Sequence, residues 1–553
     1  MAGGPSGNGG GISTASTAWA IVMSAFAAFG GILFGYDTGT IGGVIAMQDW
    51  LDVFGTFDST GQLGQSTKGM YLPTKDKSLV VSILSAGTFF GALLANPMAD
   101  YVGRKRGIVA SCVVFSLGVG LQLDTQWATF VVGRVIAGLG VGLVSCLVPM
   151  YQSECAPKNI RGLIVGLYQL AITIGALLAA VVLNATKAEQ SHSAWRTPIA
   201  VQFAWAFILG GGMLLLPESP RYLLHKGHVD RARRAMGRLT SRPADSVEVE
   251  AECTEITLAL EDEKAHGSGS YADCFKNNRS KNGLRTWTGI ALQAWQQLTG
   301  INFIFYFGTS FFQQAGITSP SPFIITIIAD VVNTAMTIIG VNLIDKVGRR
   351  RLLLIGATGM MVCEYIIAIV GVTAGQTASD GSVNLTAQRV LIAFVCVYIA
   401  FFATSWGPVA WVITGEIFPL NIRAKGMSLS VASNWLWNFA IGYATPYLVD
   451  SSTKGEPNGV ATANLHVKVF FIWGSTCLGC LVFTYFFIPE TKGLSLEQID
   501  LLYKESSIRN SEKHRRQMIA ANETYAHHEK VTASHDESSD DGKPADNVPN
   551  TNV

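Results

Sequence analysis

The sequence predicts an all-α membrane protein: twelve spanning helices arranged as two pseudo-symmetric six-helix bundles. Three observations predict it. Roughly twelve apolar stretches approach the ~20 residues that a helix needs to cross a bilayer. Loops rich in Lys and Arg alternate with loops that are not. Short motifs in the first half of the chain return in the same order in the second half.

A length of 553 residues would suit several water-soluble domains, but only 14% of residues are charged and the mean hydropathy is +0.32. The first six stretches fall near 18–46, 78–98, 107–124, 127–151, 162–184 and 197–216. Six more fall near 285–313, 322–344, 350–374, 388–415, 425–449 and 467–488. The 58 glycines are scattered through them, as expected of membrane helices that pack closely through small residues. The predicted organisation is a tail over 1–17, a first bundle over 18–216, a linker with short helices over 217–284, a second bundle over 285–488, and a tail over 489–553 that reads as disordered after about 505. A net charge of +1 argues against a nucleic-acid partner. The first charge in the chain is Asp37, so no basic region of a cleavable signal peptide precedes the first stretch. Cys477-Leu-Gly-Cys480 has metal or redox spacing, but no His or acidic residue accompanies it in its span, and it reads as packing.

Orientation follows from the basic loops. Arg104, Lys105 and Arg106 follow stretch 2, Lys158 and Arg161 follow stretch 4, Lys346 and Arg349–Arg351 follow stretch 8, and Arg423 and Lys425 follow stretch 10. The positive-inside rule makes these loops cytoplasmic. Both termini and the linker then lie inside. The sequons Asn184-Ala-Thr186 and Asn384-Leu-Thr386 fall in loops left outside, where they can accept glycans.

The duplication is explicit. Met98-Ala-Asp100-Tyr-Val-Gly103-Arg104-Lys105-Arg106 returns as Leu343-Ile-Asp345-Lys-Val-Gly348-Arg349-Arg350-Arg351. Glu154 precedes Arg161 by seven residues, as Glu416 precedes Arg423. Pro217-Glu218-Ser219 ends the first six stretches and Pro489-Glu490-Thr491 the second six. Two repeated six-helix halves imply a transporter with its site between them near mid-membrane. The repeated charges suit a latch that joins the halves in one state and releases in another; ordinary anchoring at the cytoplasmic surface is the alternative.

Taken together, Asp100…Gly103-Arg104-Lys105, Pro149-Met-Tyr151…Glu154…Arg161-Gly162, Pro217-Glu-Ser-Pro-Arg-Tyr222, Gln296-Gln297-Leu-Thr-Gly300-Ile-Asn302 and Pro489-Glu-Thr-Lys-Gly493 resemble the sugar porter family of the major facilitator superfamily. The resemblance covers about 18–500 and is closest to fungal hexose transporters. One departure is Asn96, where the loop motif usually has a small residue. The resemblance implies a plasma-membrane monosaccharide carrier, working as a monomer without cofactor, with a proton as co-substrate in its symporting members.

A monosaccharide presents a belt of hydroxyls and two apolar faces. Uncharged amides offer the belt both donors and acceptors, and aromatic rings cover the faces. The chain places Gln169, Gln296, Gln297, Asn302, Asn333, Asn434 and Asn438 in mid-span, and each matches a sugar-contacting position of the resembled family. Any one of them alone would equally suit an interhelical hydrogen bond. Asn434 and Asn438, four residues apart, share a helix face. Trp411 matches the family's Trp on the inner side of the sugar, and Phe402 is expected to line the site. Gly407-Pro408 should break its helix and let the inner part move as a gate. Ala403 stands where some facilitative glucose carriers have a carboxylate, so that contact does not carry over.

Asp37 lies within an apolar stretch, where a charge survives with a partner or a job. Arg134 is the expected partner: it lies ~10 Å from the outer end of stretch 4, at 1.5 Å per residue, which matches the depth of Asp37. In the resembled family, proton symporters pair an Asp here with this Arg, animal facilitative carriers have Asn, and some fungal facilitators keep the Asp. Two readings stand: Asp37 takes up the coupled proton, or the pair is a permanent outer gate. Asp330 and Glu364 are further mid-span carboxylates, read as proton sites or as hydrogen-bonded acids. A sugar receptor on the same scaffold is the rival function. An enzyme is disfavoured, since the spans hold no nucleophile–base constellation or phosphate loop.

Overall fold

The computed structural model describes residues 22–23, 25–58, 68–155, 161–189, 191–265, 270–314, 321–374, 384–419, 422–450, 460–494 and 496–520. In the first half, span 1 is Phe29–Val44, span 2 Thr74–Tyr101, span 3 Arg104–Leu121, span 4 Trp127–Cys155, span 5 Arg161–Thr186 and span 6 Ser193–Leu215. In the second half, span 7 is two pieces, 7a (Asn282–Leu298) and 7b (Ile301–Gln314), followed by span 8 (Pro322–Val347) and span 9 (Arg349–Thr373). Span 10 is likewise two pieces, 10a (Leu385–Thr404) and 10b (Trp406–Glu416), followed by span 11 (Arg423–Val449) and span 12 (Val469–Phe487). Helices run beyond the apolar stretches because their charged ends stay helical outside the hydrocarbon.

Among the described residues, eight spans are long and apolar enough to cross a bilayer by length and composition alone. The other four fall short for local reasons. Span 1 is described as 16 residues. Span 3 opens on Arg104-Lys105-Arg106, span 7 is interrupted at Gly300, where φ is +85°, and span 11 buries Asn434, Asn438 and Ser430.

The halves meet on two seams, span 2 along span 11 and span 5 along span 8, which the internal repeat makes equivalent. Span 7b also lies against span 1, and 10b against span 5. The span 2–span 11 seam is bonded at three depths: Lys77 to Asp450 Oδ1 (2.9 Å) at one face, Ser85 Oγ to Asn438 Oδ1 (2.6 Å) at mid-depth, and Ser428 Oγ to the Ala92 carbonyl (2.9 Å) toward the other. The face that carries Arg104 and Arg349 is called the basic face below.

At the basic face the three repeated motifs of each half fold into one cluster. Gly103 and Gly348 adopt φ of +98° and +102°, and a Cβ on either would stand 2.6 Å from a carboxylate oxygen, of Glu218 or of Glu490. Only glycine suits both the dihedral and the space. Glu218 Oε1 then accepts from the backbone N–H of Arg104 (3.1 Å) and Lys105 (3.0 Å). Glu490 accepts from those of Arg349 (3.0 Å) and Arg350 (3.2 Å). The Pro-Glu-Ser/Thr motifs are therefore anionic caps on the N-termini of spans 3 and 9, where the helix dipole favours negative charge.

The linker carries helices at Pro220–His225, Val229–Thr240 and Val247–Ala265 around a small core of its own that includes Leu223, Met236, Val249 and Leu260. The tail departs from the sequence expectation. It forms a helix over Leu496–Glu505 and remains helical from 508 to 520; residues after 520 lie outside the described region. Ile499, Leu502 and Tyr503 are buried, Arg285 pairs with Asp500 (2.7 Å) and lies over the Tyr503 ring (4.4 Å), and Ser511 Oγ accepts from Glu490 N (3.3 Å). Beyond 505 the segment is held largely by charged groups on the bundle, which composition does not reveal.

Candidate substrate site

Span 7a ends in Gln293, Gln296 and Gln297, whose spacing of three and four puts all three on one helix face. All are buried, and they face span 11. Asn434 Nδ2 donates to Gln293 Oε1 (2.7 Å) and Gln296 Oε1 (2.8 Å). Asn438 Nδ2 donates to Gln297 Oε1 (3.2 Å), and Asn302 Nδ2 donates to the same oxygen. Asn438 Oδ1 in turn accepts from Ser85 Oγ (2.6 Å) and from Tyr306 OH (3.0 Å). Five predicted amides thus form one ladder across spans 7 and 11. Gln293 joins it and binds Thr414 Oγ1 at 3.0 Å.

The ladder ends on the hinge of span 10. Gln296 Nε2 donates to the carbonyls of Trp406 (2.9 Å) and Gly407 (3.0 Å). The helix breaks at Ser405, with φ −131° and ψ −85°, just ahead of Gly407-Pro408, where the sequence led it to be expected. Pro408 instead sits in the first turn of 10b, where its missing N–H costs no helical bond. Gln169 of span 5 faces this hinge, its Nε2 3.7 Å from where a Cβ on Gly407 would stand. Phe402, buried, approaches the same point at 3.3 Å. Trp411 stacks edge-on against Tyr168 of span 5 at 6.3 Å, and Trp435 against Phe34 of span 1 at 4.9 Å. Trp435 Nε1 also donates to Ser145 Oγ at 3.3 Å, so it is more than a packing residue. Asn333 stands apart: it is buried, and its Oδ1 has no hydrogen-bond partner among the described residues. Asp330 Oδ1 and both Glu364 oxygens share that condition.

Asp37 and Arg134 meet as the depth argument expects. Arg134 Nη1 is 3.2 Å from Asp37 Oδ1, with the two side chains 2% and 0% exposed. Arg134 Nε points at the Val80 carbonyl (3.4 Å), and the Gln202 side chain of span 6 lies beside the carboxyl. Five residues after Val80 on span 2, Ser85 touches the amide ladder, so span 2 connects the ion pair to the site.

The latch charges form pairs inside each half. Arg104 binds Glu154 at 2.9 Å and approaches Asp100 at 4.0 Å. Arg349 binds Glu416 at 3.0 Å and Asp345 at 2.9 Å. The far oxygens of the two glutamates accept from Ser219 Oγ and, at 3.0 Å, from Thr491 Oγ1. These pairs stay within each half in this conformation, because each arginine starts a helix that adjoins the glutamate's helix within its own bundle. Arg423 donates to the Phe418 carbonyl (3.3 Å); the side chain of Arg161 lies outside the described region. One pair that does join the halves, Lys77–Asp450, is absent from the sequence reading. At the sequons, Asn384 caps span 10 through the N–H of Thr386 (3.1 Å) and Ala387 (3.2 Å). Asn184 Oδ1 accepts from Lys187 (2.8 Å).

Neutral amides, two aromatic pairs and two broken helices at the junction of two repeated bundles define a secondary transporter of the major facilitator fold, with a site suited to an uncharged polyhydroxylated solute. The family model described as "Sugar (and other) transporter" matches residues 23–503, and the chain belongs to that family. It is 50% identical over 522 residues to the major facilitator-type transporter ecdD of Aspergillus rugulosus, covering 93% of each chain. It is 46% identical to the probable glucose transporter rco-3 of Neurospora crassa, covering 88% of this chain and 80% of that one. Among solved structures it is similar to the proton:xylose symporter XylE bound to 6-bromo-6-deoxy-D-glucose, with a TM-score of 0.70, 26% identity, and coverage of 88% of this chain and 100% of that one.

Proposed function

We propose that the protein carries a monosaccharide, glucose or a related hexose, across the plasma membrane by alternating access in symport with a proton. The observation that carries the substrate class is the amide ladder. It joins spans 7 and 11 to Ser85 of the other half and ends on the span 10 hinge. A sugar that competes for these amides would change how Gln296 holds Trp406 and Gly407, and so let 10b move. Similarity to a probable glucose transporter supports a hexose.

The buried Asp37–Arg134 pair and the similarity to a proton:xylose symporter support coupling. Arg134 is the charge partner of Asp37 while the site is empty. Closure around sugar draws on Ser85 and span 2, loosens Arg134, and leaves a desolvated carboxylate that takes a proton from the outer side. The neutral carboxyl then permits the inward turn. The basic face is cytoplasmic, with both termini there and Asn184 and Asn384 outside as glycan acceptors. Lys77–Asp450 is then the outer closure, and the Arg104–Glu154 and Arg349–Glu416 clusters brace each bundle as it rocks. One copy holds every residue of the site, so a monomer suffices.

A facilitative carrier is the second reading, favoured by the fact that the pair is already closed and fully buried, as a fixed gate would be. The test is uptake of labelled hexoses in cells that lack their own carriers. Uptake that falls with Asn438→Ala and with a protonophore supports symport. Uptake indifferent to the protonophore supports the second reading. No uptake of any monosaccharide despite surface expression refutes both and leaves the receptor.

A further inference from the structure

The basic face holds a cleft that the transport cycle does not use. It lies between the turn joining spans 8 and 9 and the tail helix, and has a volume of about 280 Å³. Lys346 and Arg351 line it from the turn, Lys492 from the chain after span 12, and Arg515 and Arg516 from the tail, with Glu490 and Glu512 between them. Five cationic groups face two carboxylates.

The two carboxylates are unequal. Glu490 is spent on backbone, accepting from the N–H of Arg349 (3.0 Å), Arg350 (3.2 Å) and Lys492 (3.1 Å). Glu512 alone answers the cations, and it touches Arg351 (2.5 Å) and Arg516 (2.7 Å). Arg515 holds the Lys492 carbonyl through Nη1 (2.9 Å), while its buried Nε has no partner. Among the described residues, Lys492 Nζ reaches a backbone oxygen, that of Lys346 (2.5 Å). The cleft therefore carries a surplus of positive charge with donors left over. Guanidinium groups in such a cluster match the oxygens of a phosphate.

The bilayer is close at hand. On the same turn, Arg350 donates to the Tyr485 carbonyl (2.7 Å) and lies over the Tyr485 ring (5.5 Å). Tyr485, Phe486 and Phe487 end span 12 as an exposed aromatic rim, the kind of belt that sits at the headgroup level.

We infer that this cleft binds a phosphate-bearing anion, presented by an inositol-phospholipid headgroup or by a soluble phosphate ester. It would bridge Lys346 and Arg351 of the span 8–9 turn to Arg515 and Arg516 of the tail. The bound anion clamps the tail against the turn whose glycine and Glu490 cap span 9, so tail docking becomes sensitive to the phosphate supply. This inference does not depend on the identity of the sugar.

The test uses the full chain in phosphatidylcholine nanodiscs and reads hydrogen exchange of residues 508–520. Three probes are compared: phosphatidylinositol bisphosphate in the disc, soluble inositol trisphosphate, and inorganic phosphate. Protection by the lipid alone assigns the headgroup as the source; equal protection by inositol trisphosphate assigns a soluble ester. Arg515→Gln with Arg516→Gln should weaken binding about thirty-fold, since each basic residue near an anionic headgroup contributes about fivefold. Glu512→Gln removes the competing carboxylate and should strengthen binding several-fold, an outcome that a merely misfolded tail cannot give. Protection by none of the probes, or affinities unchanged in the double variant and weaker in Glu512→Gln, overturns the inference.

Discussion

Asp450→Asn is the sharpest test of how the halves close. Lys77 sits 2.9 Å and 3.3 Å from the two oxygens of Asp450, with the side chains 7% and 13% exposed, and its ammonium lies 5.5 Å from the Phe307 ring. The amide keeps the shape and removes the charge. Gross attraction at this separation is about 4 kcal/mol or more in a near-surface environment, but desolvation offsets most of it, which leaves about 1–2 kcal/mol. When the halves part at this face both groups are hydrated, so the loss falls on the closed state. The closed-to-open ratio should drop by a factor of about 5–30. Hydrogen exchange at residues 74–82 and 440–449 should rise by the same factor, and the charge swap Lys77→Asp with Asp450→Lys should restore it. Unchanged exchange there, or a rise at residues 92–98 and 423–430 instead, would refute the assignment of this pair as the closure.

Three further outcomes are expected. Gln296→Ala removes three buried hydrogen bonds, together worth about 2–3 kcal/mol, so hexose kcat/KM should fall about 30- to 150-fold at unchanged surface expression. Gly348→Ala places a Cβ 2.6 Å from Glu490 Oε2 at φ +102°. It should cost about 1–3 kcal/mol and lower the thermal midpoint of the purified protein, with Gly103→Ala acting alike. Arg516, then Arg351 and Arg515, hold the Glu512 carboxyl below the usual glutamate range. A lowered folded-state pKa contributes stability that is complete above about 4.3, the ordinary glutamate value, and is lost as the pH falls through the lowered one. Protease resistance of residues 508–520 should therefore be constant from pH 5 to 8 and fall only below about pH 4.

What the sequence discloses here is what periodicity and repetition encode. Twelve spans, two halves and three paired motifs are linear features. The Asp37–Arg134 pair followed from counting helical rise in two spans of opposite direction. The convergence of those motifs into the clusters Arg104–Glu154–Ser219 and Arg349–Glu416–Thr491 did not follow, because it depends on positive-φ glycines that let a distant glutamate cap a helix. Gln293 was legible in principle: its spacing of three and four to Gln296 and Gln297 puts it on their face, but its apolar setting reads as ordinary helix. Lys77 and Asp450 are 373 residues apart, each at a helix end where a charge is unremarkable, and only packing joins them. The break at Ser405 was displaced from Gly407-Pro408 because proline is comfortable in a first helical turn. The segment 506–520 is mostly polar, and its helical order draws on partners elsewhere in the chain, such as Arg351 and Glu490.

The measurement that bears most directly on the account is proton movement on sugar addition in proteoliposomes loaded with a pH-sensitive dye, with wild type beside Asp37→Asn. Sugar-driven acidification of the lumen by wild type, lost in the variant while the variant still exchanges sugar across the membrane, is the predicted result. Net hexose uptake by wild type with no change in luminal pH would contradict it and leave the Asp37–Arg134 pair as a fixed gate.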